Sequence, residues 1–227
     1  MNHMTLTLSI DNRQKKINPA AVSVQALVRQ FESGGGKVLL VSGENDIFDL
    51  SLMMAARAMT RGEQVAVIDG CNKFNVHALV GFARRNGINP DAFLRRIFVS
   101  RGFTCYQMEA AIDNRLPAFL KRAGSRTAMI LGLLDTMYDE QAPMREVRQI
   151  FAHVLKSLAA MKAEGISILL SCRERKVAPE ERNQLLGKLK RSADCAYMLT
   201  TENEERRLFV QYGNAGALKN GTTKAVR

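Results

Sequence analysis

The chain has 227 residues, 46% of them hydrophobic, which suits one large α/β domain and excludes an intrinsically disordered protein. No apolar run approaches the length of a bilayer-spanning helix, and residues 1–10 lack the layout of a secretion signal, so we expect a soluble cytoplasmic protein without a membrane partner. Lys and Arg total 33 against 22 Asp and Glu, and this net charge of +11 favours polyanionic partners, although it is also typical of charge that only maintains solubility.

The four cysteines are widely spaced and include no C-x-x-C pair: Cys71, Cys105, Cys172 and Cys195. Each lies in or beside an apolar stretch, and the chain has only three histidines. This pattern predicts buried, reduced thiols, and neither a metal site nor disulfides.

The N-terminal region predicts one strand and one helix. Apolar residues alternate with polar ones at 6–10, as in a half-buried strand. Asn18 can cap a helix whose first position is Pro19, and the helix is expected to continue to Phe31 and to end at Gly34–Gly36.

Five continuous apolar runs then alternate with amphipathic stretches. The apolar runs are 38–41, 65–68, 97–99, 128–131 and 166–170. The helical stretches are about 47–60, 74–86, 106–123 and 144–164. This alternation predicts an α/β fold with a mostly parallel twisted sheet and helices on both faces.

The C-terminal part has a different pattern. Apolar segments at 196–199 and 208–210 flank the polar residues 200–207 and predict a β-hairpin that finishes the sheet. Residues 214–227 are small, polar and basic, and we expect them to be disordered. The predicted organisation is a strand and helix (1–36) packed on a core (37–213), followed by this basic tail.

The loop after the first apolar run is where a doubly wound sheet binds phosphate. A phosphate loop reads G-x-x-x-x-G-K-S/T, since glycines admit the phosphates, lysine neutralises them and the hydroxyl holds Mg²⁺. Here Gly43 can be the first glycine, but Phe48, Asp49 and Leu50 replace the second glycine, the lysine and the hydroxyl. The chemical groups that this loop requires are therefore missing.

Acidic residues surround the same loop. Glu44, Asp46 and Asp49 complement the start of a helix and would repel a triphosphate, at a cost of a few kcal/mol for each close like-charge pair at an effective dielectric of about 20. The rival segment, Gly34–Gly36 followed by Lys37, precedes a strand and begins no helix, so it is interpreted as a connector.

Several short stretches resemble the core of the RecA/RadA recombinases. They are the strand and Asp at 65–69, Phe74, the pairs at 78–79 and 83–84, the G-hydrophobic-N-P turn at 87–90, and the strand ending in Arg at 97–101. The resemblance extends, with fewer matches, over about 38–213. It implies a RecA-like fold of the P-loop NTPase superfamily, whose loops after the fourth and fifth strands touch DNA.

The positions that the resemblance implies for nucleotide chemistry carry other residues. The phosphate-loop lysine and hydroxyl fall on Asp49 and Leu50. The catalytic glutamate falls on Cys71, the Mg²⁺-associated aspartate on Gly132, with Asp135 three residues later, and the nucleotide-sensing glutamine on Arg173. The resemblance thus implies a pseudo-ATPase without catalytic residues, cofactor or metal.

Positive charge gathers in the segment that would form the second DNA-contacting loop. Seven basic residues against three acids leave +4 within residues 173–191. The predicted nucleic-acid-binding residues are Arg173, Arg175, Lys176, Arg182, Lys188, Lys190 and Arg191. The alternative interpretation of residues 180–191 is a solvated helix face of mixed charge.

The leading hypothesis is a catalytically inactive RecA/RadA-like protein that binds nucleic acid, with DNA favoured, or a partner RecA-like ATPase, in DNA recombination or repair. A second hypothesis is an ATPase with a non-standard site that uses Arg173 or residues of a partner. A third is a purely structural subunit that forms homo-oligomers without nucleic acid.

Overall fold

Eight strands form a single sheet in the computed structural model of the chain, which describes residues 21–202 and 205–213. The strands are β1 (Ala21–Val22), β2 (Lys37–Gly43), β3 (Val65–Asp69), β4 (Ile97–Arg101), β5 (Thr127–Leu131), β6 (Ser167–Arg173), β7 (Cys195–Glu202) and β8 (Glu205–Gly213). The helices are α1 (Val24–Glu32), α2 (Asp46–Thr60), α3 (Val76–Arg85), α4 (Pro90–Leu94), α5 (Cys105–Ala110), α6 (Leu116–Ala123), α7 (Leu133–Met137), α8 (Met144–Ala163) and α9 (Gln184–Ser192).

The sheet has the order β1-β8-β7-β2-β6-β5-β3-β4. All neighbouring strands from β7 to β4 run parallel, whereas β8 is antiparallel to both β7 and β1. The expectation of an α/β fold with a mostly parallel sheet and a C-terminal hairpin is confirmed. Because parallel strands point their carboxyl ends the same way, Gly43, Asp69, Leu131 and Arg173 all end at one edge of the sheet, which we call the carboxyl edge.

Helices cover both faces of the sheet, as the continuous apolar runs predict. On β2, Val38 and Leu40 belong to one core cluster, with residues of α5 to α9, while Leu39 and Val41 belong to the other, with residues of α1 to α4. Strand residues alternate between faces, so a strand buried on both sides needs apolar residues at every position. Each such side chain contributes about 1.5–3 kcal/mol through its burial.

The start of the first helix differs from the prediction. Residues Ala21 and Val22 pair antiparallel with Phe209 and Leu208 as strand β1, and helix α1 begins only at Val24. Ser23 is the cap, since its hydroxyl accepts a hydrogen bond from the Ala26 amide at 3.1 Å. The predicted strand at 6–10, the predicted cap at Asn18-Pro19 and the predicted basic tail lie outside the described residues.

Two other elements differ in extent. The predicted helix at 106–123 contains a π-helical turn, Ala111–Arg115, between α5 and α6. Strands β7 and β8 extend into the polar stretch, over 200–202 and 205–207, and their backbone pairing reaches Glu202 opposite Glu205. Pairing with a neighbouring strand satisfies backbone groups whatever the side chains are, so polar composition alone does not end a strand. Among the helices of the described residues, none is both long and apolar enough to cross a bilayer.

Candidate functional site

The connection between β2 and α2 is too short to form a phosphate loop. Only Glu44 and Asn45 separate Gly43, the last residue of β2, from Asp46, the first residue of α2. The motif would place four residues after its first glycine before the helix-starting G-K pair. A Cβ on Gly43 would lie 2.4 Å from the Leu199 carbonyl oxygen, so the neighbouring strand β7 leaves no room for a side chain where this connection begins.

Two of the predicted phosphate-loop positions are part of the hydrophobic core. Phe48 and Leu50 each retain 2% of their surface and pack in the cluster between α2 and the sheet. Asp49, at the lysine position, is exposed. The structure therefore uses Phe48 and Leu50 to hold α2 on the sheet, where they cannot face a phosphate.

The start of α2 carries negative charge. Asp46 and Asp49 lie in its first turn, and Thr201 donates a hydrogen bond to Asp46 at 2.8 Å. Carboxylates at a helix N-terminus stabilise it by about 0.3–1 kcal/mol each. They occupy the electrostatic position that a phosphate would need.

Cys71 and Gly132 pack against each other so closely that Gly132 accepts no side chain. The backbone of Gly132 is left-handed, with φ +64°, and a Cβ there would lie 2.4 Å from the Cβ and the Sγ of Cys71. An aspartate that could hold Mg²⁺ is thus excluded at this position by space as well as by conformation. Burial and the neighbouring Asp69 and Asp135 raise the pKa of the Cys71 thiol well above its usual range, so the sulfur stays protonated.

Asp69 holds the loop that follows β3. Its side chain is fully buried, and its two oxygens accept hydrogen bonds from the amides of Cys71 (3.1 Å), Lys73 (3.1 Å) and Phe74 (3.0 Å). The Arg101 Nε lies 3.8 Å from the same carboxylate. Asp69 therefore has a structural role, because its carboxylate already binds three backbone amides.

Asp135 holds the arginine at the predicted sensor position. Arg173 donates to Asp135 from both Nε and Nη2, and Arg175 lies 3.2 Å from the same carboxylate oxygen. The guanidinium of Arg175 also lies over the buried ring of Tyr138, 5.6 Å from its centre. Asp135 thereby pairs with two cations that could face a phosphate, and its single negative charge offsets one of their two positive charges.

Glu174 lies beside the β2–α2 connection and bridges it to α9, a contact that no sequence pattern predicts. Its amide donates to the Gly43 carbonyl at 2.9 Å, and its carboxylate accepts from Ser42 (2.8 Å) and Lys190 (2.9 Å). A third carboxylate at the carboxyl edge thus holds a cation of the predicted basic segment.

Arg182 must be removed from the predicted nucleic-acid contacts, because it is buried. Only 2% of its surface is exposed, and its guanidinium donates to the carbonyls of Met137 and Ala142, both at 2.5 Å. Its Nε has no hydrogen-bond partner within the described residues. The helical spacing of the sequence could have indicated this burial. Arg182 lies three, four and seven positions before Leu185, Leu186 and Leu189, which are buried on one face of α9.

The predicted basic segment, residues 173–191, is not a single loop. Residues 174–179 are irregular, after which a 3₁₀ turn, Glu180–Asn183, leads into α9. Lys176, Lys188 and Arg191 are exposed and form no ion pair within the described part of the chain. The segment thus has the mixed-charge helix face of the alternative interpretation as well as three available cations.

A shallow depression lies beside the closed phosphate position. It has a volume of about 490 Å³ between the starts of α2 and α3, and Asn45, Asp49, Lys73 and His77 contribute to its lining. Across residues 21–202 and 205–213, no group of three His, Cys, Asp or Glu side chains is placed to hold a metal ion. All four cysteines are free, and Cys71 is the one that is partly exposed.

No family model matches the chain, and no curated protein matches it. The RecA/RadA resemblance therefore remains a prediction from the residues. The proposed function is therefore based on the geometry of the carboxyl edge.

Restoring an aspartate at position 132 is expected to damage the fold instead of creating a metal site. Gly132→Asp should lower the free energy of unfolding by at least about 3 kcal/mol, because a strained φ and a clash with Cys71 act together. The control is Gly124→Asp, at φ +60° with no atom within 4 Å of the new Cβ, which should cost about 1 kcal/mol. Urea unfolding measures both, and equal losses would contradict the close contact between Gly132 and Cys71.

Arg182 is expected to behave as a core residue. Arg182→Ala removes two charge-assisted hydrogen bonds and leaves a cavity, and should lower the free energy of unfolding by about 3–5 kcal/mol. Arg191→Ala, on the exposed side of α9, should change it by less than about 0.5 kcal/mol. Thermal and urea unfolding compare the two variants, and a small effect of Arg182→Ala would show that the guanidinium is not buried in solution.

Proposed function

We propose that this chain is a catalytically inactive RecA/RadA-like protein that binds nucleic acid, with DNA favoured, or a partner RecA-like ATPase, in DNA recombination or repair. The observation that carries the proposal is the two-residue connection between β2 and α2, which is shorter than a phosphate loop. A protein of this fold without a phosphate loop has lost the element that positions a triphosphate.

The convergence of distant positions supports the RecA-like interpretation. The resemblance assigns nucleotide chemistry to Gly43, Cys71, Gly132 and Arg173, which are far apart in sequence. Gly43 pairs with Arg173 in neighbouring strands, and Cys71 packs on Gly132. Ligands of doubly wound sheets bind at the carboxyl ends of the strands, so these positions meet where such a site belongs.

The electrostatics of this edge support inactivity. Asp135 and Glu174 pair with Arg173, Arg175 and Lys190, so two of the three positive charges are offset within the protein. A triphosphate at this edge would have to displace these carboxylates while also approaching the acidic start of α2. Both requirements oppose binding, and neither depends on the identity of a single residue.

Unpaired positive charge supports nucleic acid as the partner. The net charge of the chain is +11, and Lys176, Lys188 and Arg191 are exposed without an ion pair in the described residues. Cations that are not neutralised by the protein can release counterions from a phosphate backbone, which makes binding strong at low salt and independent of sequence.

Two alternatives make different predictions. An ATPase with a non-standard site would show Mg²⁺-dependent ATP turnover that Arg173→Gln abolishes. A purely structural subunit would form the same oligomers with and without DNA and would not bind DNA at low salt. Turnover measurements and sedimentation with and without DNA separate these possibilities.

Binding of labelled single-stranded and duplex DNA is expected to weaken steeply as salt rises from 50 to 300 mM. The variant Lys176→Gln, Lys188→Gln, Arg191→Gln should reduce the log–log slope by about 0.7 per lost contact for single strands and about 0.9 for duplex. The control variant Arg29→Gln, Arg84→Gln, Lys156→Gln makes the same change in net charge at exposed residues elsewhere.

Fluorescence anisotropy measures both variants against the native chain. Absence of binding at low salt, or binding that does not depend on salt, would remove nucleic acid from the proposal. Equal losses in the two variants would show that net charge, and not the segment after β6, is responsible.

A further inference from the structure

Two aromatic rings are exposed at the carboxyl end of the edge strand β4. Phe103 keeps 67% of its surface and Tyr106 keeps 46%, in the turn between β4 and α5 and in the first turn of α5. A phenyl ring this open to water forgoes most of the burial free energy that its size offers. Exposed rings of this kind, when grouped, mark surfaces that contact something else.

The backbone that carries these rings is fixed. The Phe103 amide donates to the Gln107 side chain at 2.8 Å, and Thr104 caps α5 by accepting from the Gln107 amide at 3.2 Å. On the other side, the Gly102 amide donates to the Asp69 carbonyl at 3.1 Å, and a Cβ on Gly102 would lie 2.8 Å from the Met108 sulfur. The rings are therefore presented by an ordered turn, which lowers the entropy that a ligand has to overcome.

Three cations are connected to the same turn through Asp69 and the Gln107 backbone. Lys73 is exposed, and its amide is bound to the Asp69 carboxylate that also lies near Arg101. Arg115 is exposed and donates to the Gln107 carbonyl at 3.3 Å. Neither Lys73 nor Arg115 forms an ion pair with another described residue, and Arg101 is 47% exposed.

Three acids adjoin this surface, and each has a partner. Glu109 lies 2.9 Å from His153 Nδ1 on α8. The Asp69 side chain is fully buried and already accepts three backbone amides. Glu146, from the start of α8, accepts a hydrogen bond from the Tyr106 hydroxyl at 2.5 Å, which raises the pKa of Tyr106 to about 12. The ring of Tyr106 therefore stays neutral, and Lys73 and Arg115 are the cations of this surface that no described acid pairs with.

We propose that Lys73, Arg101, Phe103, Tyr106 and Arg115, which we call the aromatic surface, bind single-stranded nucleic acid by stacking bases on the two rings. The phosphates would lie along the three cations. Aromatic rings next to Lys and Arg are the combination that single strands require, because every base has a π-face and every linkage a negative charge. Duplex DNA would not fit, since its bases are already stacked.

This inference rests on the nucleic-acid binding proposed above only for the class of ligand. The aromatic surface lies at the end of β4 and shares no residue with Lys176, Lys188 and Arg191. The two surfaces also require different parts of the ligand. Stacking on the rings requires bases, whereas the exposed cations after β6 require only phosphates.

The chain contains no tryptophan, so Phe103→Trp introduces a single fluorescent reporter. We expect its emission to be quenched on titration with a 12-nucleotide oligothymidine, and to stay unchanged with an abasic strand of equal length and charge. The matched control is Tyr212→Trp, whose native ring on β8 is 45% exposed, and its emission should respond to neither strand. Phe103→Ala in the native chain should weaken oligothymidine binding about tenfold or more.

Two further variants separate this proposal from the preceding one. Arg115→Gln should lower the salt slope for oligothymidine by about 0.7, while the triple variant after β6 should keep the quenching in a Phe103→Trp background. Oligothymidine binding by anisotropy without quenching would overturn the aromatic surface and leave nucleic-acid binding after β6 intact. An emission change on raising the protein concentration alone would assign the rings to self-association and overturn the proposal as well.

Discussion

Ion pairs within the protein occupy the edge of the sheet at which a nucleotide would bind. Asp135 holds Arg173 and Arg175, and Glu174 holds Lys190 while also accepting from Ser42 beside Gly43. Each pair satisfies a charge that would otherwise need a phosphate or water, so the edge is stable without a ligand. The proposed inactivity follows from this arrangement as much as from any missing residue, since acids are paired with the cations where a triphosphate would need cations alone.

The closed edge also explains where binding could still occur. The cations of the two proposed surfaces that form no ion pair in the described residues lie in segments that follow the strands: Lys176, Lys188 and Arg191 after β6, Lys73 after β3, and Arg115 after α5. A surface of this kind recognises a polymer with repeated charges better than a compact ligand, because several separated contacts add. The proposed partner is therefore a polyanion and not a nucleotide.

Much of the fold could be predicted from the sequence, because the five apolar runs are strands and the stretches between them are helical. Four of these strands are buried along most of their length, and β4, at the sheet edge, is half-buried. Three features of the structure differ from the prediction, and each difference has a local cause. Pairing with β8 turned Ala21 and Val22 into a strand, which the helical pattern of residues 18–31 did not reveal. Backbone pairing also carried β7 and β8 into a polar stretch, and Arg182 occupies the apolar side of its helix although its charge suggested the surface.

The candidate site could be predicted only in part. The loss of a phosphate loop is visible in the residues after Gly43, since the motif is local. The pairing of Asp135 with Arg173 joins residues that only the order of β5 and β6 brings together, and the exposure of Phe103 depends on how its turn is held. Sequence patterns describe periodicity along a chain, and these features depend on contacts between distant segments.

The most direct measurement is calorimetric titration of the native chain with a non-hydrolysable ATP analogue and Mg²⁺, together with its thermal unfolding at millimolar analogue. A closed phosphate position predicts no saturable heat and no change in melting temperature. Saturable binding of one analogue per chain would contradict it, as would a stabilisation approaching the roughly 2.7 kcal/mol that a ligand supplies at about one hundred times its Kd.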